Sequence, residues 1–208
     1  MTSIDTITLE VADTAAAETF YAAVLGPDSR VRVRASQEPT SGFRGFSLSL
    51  IVAQPADGDA LFEAAVAAGA TVLKPAKKSF WGYGGVFQAP DGTIWKVATP
   101  NKKNTGPGAA RYDDIVLLLG AADVAASKQF YLDHGLTVEK SFRTMYVEFA
   151  SEPGKVKLGL YRRRALAKDA GVAPEGSGSH RIALGAAAGS FTDPDGFAWE
   201  TSSVSAES

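Results

Sequence analysis

The sequence predicts an α+β protein built from two similar halves, with helices packed on the outer face of a sheet. Strand-like and helix-like segments alternate along the chain, which favours a helix-covered sheet. A strand, an Asp-started helix ending in Phe-Tyr and a Pro-Asp-Gly hairpin occur in that order twice. The copies are Ile7–Asp13, Ala15–Tyr21 and Gln88–Lys96, then Ile115–Asp123, Ala125–Tyr131 and Thr192–Glu200. The length of 208 residues, with 45% hydrophobic and 21% charged residues, suits one large or two small globular domains.

Each element has a local reason. Thr6–Val11 alternates and is rich in β-formers, so it reads as a strand. Asp13 and Thr14 can cap an Ala-rich helix over Ala15–Leu25, which Gly26 and Pro27 stop. Arg30–Arg34 alternates Arg with Val, a strand with one wet face, and Gln37–Gly42 is a loop. Phe46–Val52 is a strand with one apolar face. Asp57–Ala68 is an amphipathic helix that gathers Leu61, Phe62, Ala65 and Val66 on one side before Gly69. Thr71–Leu73 is a short strand, and Val86-Phe87 and Ile94–Ala98 flank the first Pro-Asp-Gly turn.

Asn101–Ala110 reads as a linker between a first domain, 1–100, and a second, 111–208. It and the chain ends are the segments whose composition suggests disorder. The second half restarts with a strand at Asp114–Leu119 and a helix at Asp123–His134. Thr137–Lys140, Met145–Phe149 and Val156–Tyr161 are strands, and Arg164–Ala170 a short helix. Pro174–Ser179 is a loop, and Arg181–Leu184 and Phe197–Thr201 are the last strands. Phe20 and Phe130 are 110 positions apart but Asp91 and Asp195 only 104, so the halves are not related by one offset. The second half has no counterpart of the Asp57–Ala68 helix, and the first lacks strands that the second has.

Composition excludes some classes. A net charge of −2 argues against a nucleic-acid binder. No apolar run approaches a membrane span, and Met1–Asp5 has no signal-peptide character, so the expected location is the cytoplasm. With no cysteine, disulfides, thiolate catalysis and Cys-ligated metals are excluded.

The pattern resembles the vicinal oxygen chelate superfamily, which includes glyoxalase I, bleomycin-resistance proteins and extradiol dioxygenases. The resemblance rests on Leu9–Tyr21, Ala67–Lys74, Phe80–Phe87, the two Pro-Asp-Gly hairpins and Tyr161–Pro174. It implies tandem βαβββ units whose curved mixed sheets pair into a cup around the site. It implies one such domain in each half, both shortened, pairing within one chain and leaving room for a homodimer. Metal-dependent members take ligands from the first and last strands of a unit. In the first half the opening-strand position is Thr6, a mid-domain ligand position falls near Ser47 and the closing-strand position is Lys96, none of them an imidazole or carboxylate. In the second half the ungapped register gives Val116. A two-residue bulge at Gly120-Ala121 would bring in Asp114, to join His180 and Glu200 as a facial set for Fe, Mn, Zn or Ni. Glu200 would then double as catalytic base. The plainer reading has Glu200 facing solvent or paired with Lys96, and His180 on the surface.

Alternation puts Trp95 and Trp199 on the side opposite Lys96 and Glu200. If the charged pair lines the cup, the tryptophans are core, which we expect; the reverse would put two aromatic platforms in the cup. The aromatic loop at Phe80–Tyr83 could rim a pocket, and Tyr161 with Arg162, Arg163 and Arg164 could meet an anionic ligand, although a solvated basic face is the plainer reading. The favoured expectation is a cofactor-free binder of a small, aromatic molecule contacted by Thr6, Trp81, Tyr83, Lys96, Tyr161 and Arg162. The alternative is a metal-dependent lyase, isomerase or dioxygenase with one site in the second half.

Overall fold

A computed structural model describes residues 2–202. The chain opens with strand β1 (Ile4–Val11), helix α1 (Thr14–Leu25) and strand β2 (Val31–Ala35). Asp13 caps α1 by accepting the Ala16 N–H at 3.0 Å. After the short β3 (Thr40–Gly42), the next stretch is a full βαβββ unit. It comprises β4 (Phe46–Ile51), α2 (Pro55–Ala67), β5 (Thr71–Ser79), β6 (Gly82–Gln88) and β7 (Ile94–Thr99). A second full unit follows: β8 (Asp114–Ala121), α3 (Val124–Asp133), β9 (Val138–Phe142), β10 (Tyr146–Phe149) and β11 (Lys157–Arg162). The chain closes with α4 (Arg163–Ala170), β12 (Gly176–Gly178), β13 (Ile182–Ala186), β14 (Phe191–Thr192) and β15 (Ala198–Thr201).

Two complete units thus stand in the middle, with a partial unit at each end. The complete ones join through antiparallel β4 and β8 into one eight-stranded sheet, ordered β5-β6-β7-β4-β8-β11-β10-β9. The partial ones join through antiparallel β1 and β13 into a five-stranded sheet, ordered β14-β15-β13-β1-β2. Pairing therefore runs across the halves. The pieces missing from each end are shared out: one end brings the helix and β2, the other β14 and β15.

One cluster of buried side chains joins one face of each sheet to α1, α2 and α3. It includes Leu9 of β1, Leu48 of β4, Leu61 of α2, Leu117 of β8 and Tyr131 of α3. The exception among the helices is α4, which lies on the other side of the large sheet. Its Leu166, Ala167 and Ala170 pack with Val86, Ile94 and Leu118. Those strand positions alternate with Phe87, Trp95 and Leu117, which belong to the main core. Helices α1, α2 and α3 cover the outer face as expected, while the short α4 packs on the concave face.

The linker is a fixed strap rather than a disordered one. Gln54 Oε1 accepts the N–H groups of Thr105 and Gly106, and Asp57 accepts that of Ala109 at 2.9 Å. Asp57 is fully buried, and its polar partners outweigh burial and hold its carboxyl below the ordinary value of 3.8. A depressed folded value contributes stability above 3.8 and loses it as pH falls through the lower folded value. Asp57→Ala is therefore expected to melt earlier than wild type at neutral pH, with the gap narrowing below pH 3.8. Melting curves across that range check it, and a gap that widens on acidification would refute it.

Candidate functional site

The concave face of the large sheet is an open cup in two overlapping lobes of about 920 and 560 Å³. Its floor has a repeated design. Lys96 on β7 stands opposite Ser49 on β4, Ser49 opposite Val116 on β8, and Val116 opposite Lys157 on β11. Lys96 and Lys157 are thus at equivalent places, each in the closing strand of a complete unit. At ~4.8 Å per strand their Cα atoms are about 14 Å apart across the floor, which leaves room for a small molecule between the two ammonium groups.

Each lysine has a carboxylate partner. Lys96 Nζ lies 2.9 Å from Asp169 of α4, and Lys157 Nζ lies 2.7 Å from Asp114. The Asp114 hydrogen bond raises the Lys157 pKa above its ordinary value against the opposing effect of burial. Lys74 donates to the main-chain carbonyls of Lys168 and Asp169 at 2.7 and 2.6 Å. Cations are favourable at a helix C-terminus, so Lys74 anchors the end of α4 on the cup wall.

Aromatic groups supply the rest of the lining. Tyr146 and Tyr161 stand edge to face at 5.3 Å, and Tyr146 donates to Glu148 at 3.0 Å. Burial, reinforced by Glu148, pushes the Tyr146 hydroxyl up in pKa. Tyr83 donates to Asp59, and burial together with that bond pushes it up to about 12. Both phenols are therefore neutral at ordinary pH. Phe80 and Trp81 form the tip of the β5–β6 hairpin and are 82% and 84% exposed. Trp81 also lines the larger lobe, so its uncovered ring is at the mouth of the cup.

Of the residues singled out in the sequence, Trp81, Tyr83, Lys96 and Tyr161 line this cup. Thr6 does not: it pairs with Gly185 in the five-stranded sheet. Arg162 points away, donating to Thr144 O and Oγ1 at 3.0 and 2.8 Å. Arg163 is structural, donating to Phe43 O at 2.6 Å and Pro174 O at 3.0 Å.

The trio of His180, Glu200 and Asp114 is not brought together. Both His180 nitrogens face main-chain carbonyls, Arg44 O at 2.6 Å and Asp195 O at 3.0 Å, and its ring stacks on Phe197. Glu200 lies on the small sheet, bound by Arg34, which also holds Glu10. Neither the suggested pairing of Glu200 with Lys96 nor its role as catalytic base has geometric support. Asp114 does line the cup, through straight pairing rather than a bulge: Tyr161 and Arg162 oppose Gly120 and Ala121 in unbroken register. Among the described residues no group of three His, Asp or Glu could hold a metal. The donors at the two closing-strand positions are ammonium groups, which repel a cation, so the residues present do not fit a divalent metal.

Trp95 and Trp199 are core, at 0% and 2% exposure. Their indoles donate to Tyr21 and Tyr131 at 3.4 and 3.3 Å. The tyrosines in turn donate to Asp91 within the first Pro-Asp-Gly turn and to Asp193, the residue just before the second. Each repeated Phe-Tyr thus locks its helix onto a closing hairpin.

Sequence reasoning missed Lys157, Asp169 and Tyr146. A signal for Lys157 was present, because it is a charge set between Val156 and Leu158, as Lys96 is set between Trp95 and Val97. Counting from the second Pro-Asp-Gly turn led to Glu200 instead, on a strand that belongs to the other sheet.

No protein-family model and no curated protein matches the chain. Solved structures do. Glyoxalase I from Zea mays superposes with a TM-score of 0.60 at 14% identity, covering 96% of this chain and 91% of that one. A V278E variant of the same maize protein gives 0.59 at 15%, with the same coverages. A candidate dioxygenase of Bacillus subtilis gives 0.55 at 12%, covering 93% of this chain and 71% of that one. At such identities the likeness is one of fold alone: the chain has a glyoxalase-like α+β architecture. No helix among the described residues is long and apolar enough to cross a membrane.

Proposed function

We propose that the chain binds a small, flat organic molecule in the cup of the eight-stranded sheet, without a resident metal. The observation that carries this is the pair Lys96 and Lys157 in the closing strands, where metal-dependent relatives of the fold would place ligands. The aromatic surfaces of Trp81, Tyr83, Tyr146 and Tyr161 support a planar ligand, for which stacking and edge contacts are suited. The separation of His180 and Glu200 from this cup removes support for the donor set suggested from the sequence.

Two measurements on the purified, untagged protein test the reading. Elemental analysis after incubation with Ni, Mn, Fe or Zn should find no stoichiometric ion, and melting temperature should not rise with metal. One tightly held ion per chain would overturn the metal-free part. A library of aromatic fragments screened by thermal shift should yield binders. Trp81→Ala should weaken them about 5- to 10-fold, as expected from loss of an aromatic contact of roughly 1 kcal/mol. Binders insensitive both to Trp81→Ala and to Tyr146→Phe would place the site elsewhere.

A further inference from the structure

We infer that the ligand of this cup is an organic anion, a flat body carrying a carboxylate or sulfonate that is received between Lys96 and Lys157. The inference rests on the cup being the ligand site, and adds the chemical class. Its basis is a local charge that contradicts the whole chain. The protein carries a net charge of −2. The cup, however, is lined by five lysines, Lys74, Lys77, Lys96, Lys140 and Lys157, against only three carboxylates.

Those carboxylates are each committed to one lysine: Asp114 to Lys157, Glu148 to Lys140 and Asp169 to Lys96. Lys74 is used by the main chain of α4, and Lys77 meets no carboxylate among the described residues. The cup therefore keeps a positive surplus inside low-dielectric walls, which concentrates anions.

The resident ion pairs are of the kind that exchanges. Side-chain exposure is 31% for Lys96 and 44% for Asp169, and 40% for Lys157 with 31% for Asp114. Pairs this open to water hold weakly, so an incoming anion can take over either ammonium group while the displaced carboxylate turns to solvent. Asp169 is well placed for this. It sits at the end of α4, whose buried Leu166, Ala167 and Ala170 stay packed while only the carboxylate moves. The aspartates act as internal substitutes for the ligand's acid group, keeping the lysines fixed when the cup is empty of ligand.

The test uses two probes of matched shape, anilinonaphthalene sulfonate and the uncharged phenylnaphthylamine, titrated by fluorescence against the full chain. Wild type should bind the sulfonate about tenfold or more tightly than the neutral probe, with affinity falling at high salt. In the double variant Lys96→Met, Lys157→Met the preference for the sulfonate over the neutral probe should fall about tenfold. Melting curves establish that the variant is folded; should it not be, Lys77→Met, which breaks no ion pair, carries the same expectation at smaller size. If both probes bind equally and both respond to Trp81→Ala, the anion inference fails while cup binding stands. If the sulfonate is preferred but ignores every lysine variant, the inference fails too. If neither probe binds, or neither responds to Trp81→Ala or Tyr146→Phe, both readings fall.

Discussion

Trp199→Ala is expected to cost roughly 3–5 kcal/mol of folding free energy, the usual loss for a buried Trp cut to Ala. The indole is 2% exposed, lies against Phe191 with centroids 5.1 Å apart, and tilts against Tyr131 at 5.4 Å. Truncation would leave a cavity ringed by aromatic groups that cannot collapse into it without moving α3. It would also withdraw the indole N–H from the Tyr131 hydroxyl, which binds the buried Asp193. Burial raises the Asp193 pKa and its partners oppose that rise, so a loosened Tyr131 leaves a carboxylate poorly compensated. Set against a total stability of roughly 5–15 kcal/mol, the loss is large. It corresponds to a fall in melting temperature on the order of 10 °C for a chain of this size. The same change at Trp95, which is 0% exposed and bound to Tyr21, should behave alike. Thermal and urea unfolding measure both. A Trp199→Ala protein that melts within about 2 °C of wild type would refute this account of the hairpin lock.

The inward-facing tryptophans and the capped helices were legible in the sequence because those signals are local and periodic; the lock itself, which joins residues 70 and 74 positions apart in the first copy, was not. Alternation alone sets Trp95 opposite Lys96 in orientation and Trp199 opposite Glu200, and the Asp13 and Asp123 caps announce the helices that carry the tyrosines. Which strands pair was not legible. The β4–β8 and β1–β13 seams join residues far apart in the chain, and nothing near Ser49 shows that Val116 will lie beside it. Copy-to-copy counting therefore carried the site to Glu200, while the cup lies between the two complete units. The β3–β12 ribbon was hidden for another reason: its glycine and serine segments read as loops. A Cβ on Gly176 would come within 2.1 Å of Phe43 O, so the close approach depends on a residue with no side chain. Helix α4 was found in sequence, but its face was not. Its short apolar set, Leu166, Ala167 and Ala170, could pack on either side of a sheet.

Crosswise pairing has a consequence that a chain of two self-contained domains would not share. Expressed separately, residues 1–110 and 111–208 are each expected to remain unfolded or to aggregate; mixed during refolding, they are expected to reassemble. The first fragment would keep the strap on α2 but lose β8 from β4 and β13 from β1. Both exposed strands are apolar on their inner face: Leu48, Leu50, Ile7 and Leu9 are all at 0% in the intact protein. The second fragment would uncover Ile115, Leu117 and Leu184, also at 0%. Re-exposing even these seven side chains, at roughly 1.5–3 kcal/mol each, amounts to more than 10 kcal/mol. That is comparable with the whole stability of a typical domain. Unpaired strands with apolar faces also template aggregation. Seam restoration explains why mixing should succeed, since every lost contact is between the fragments and none requires a covalent link at 110–111. Circular dichroism, co-purification of the fragments and a single cooperative melt for the mixture would bear this out. A cooperative melt from residues 1–110 alone would show that the halves fold independently and that the seams contribute far less than their burial implies.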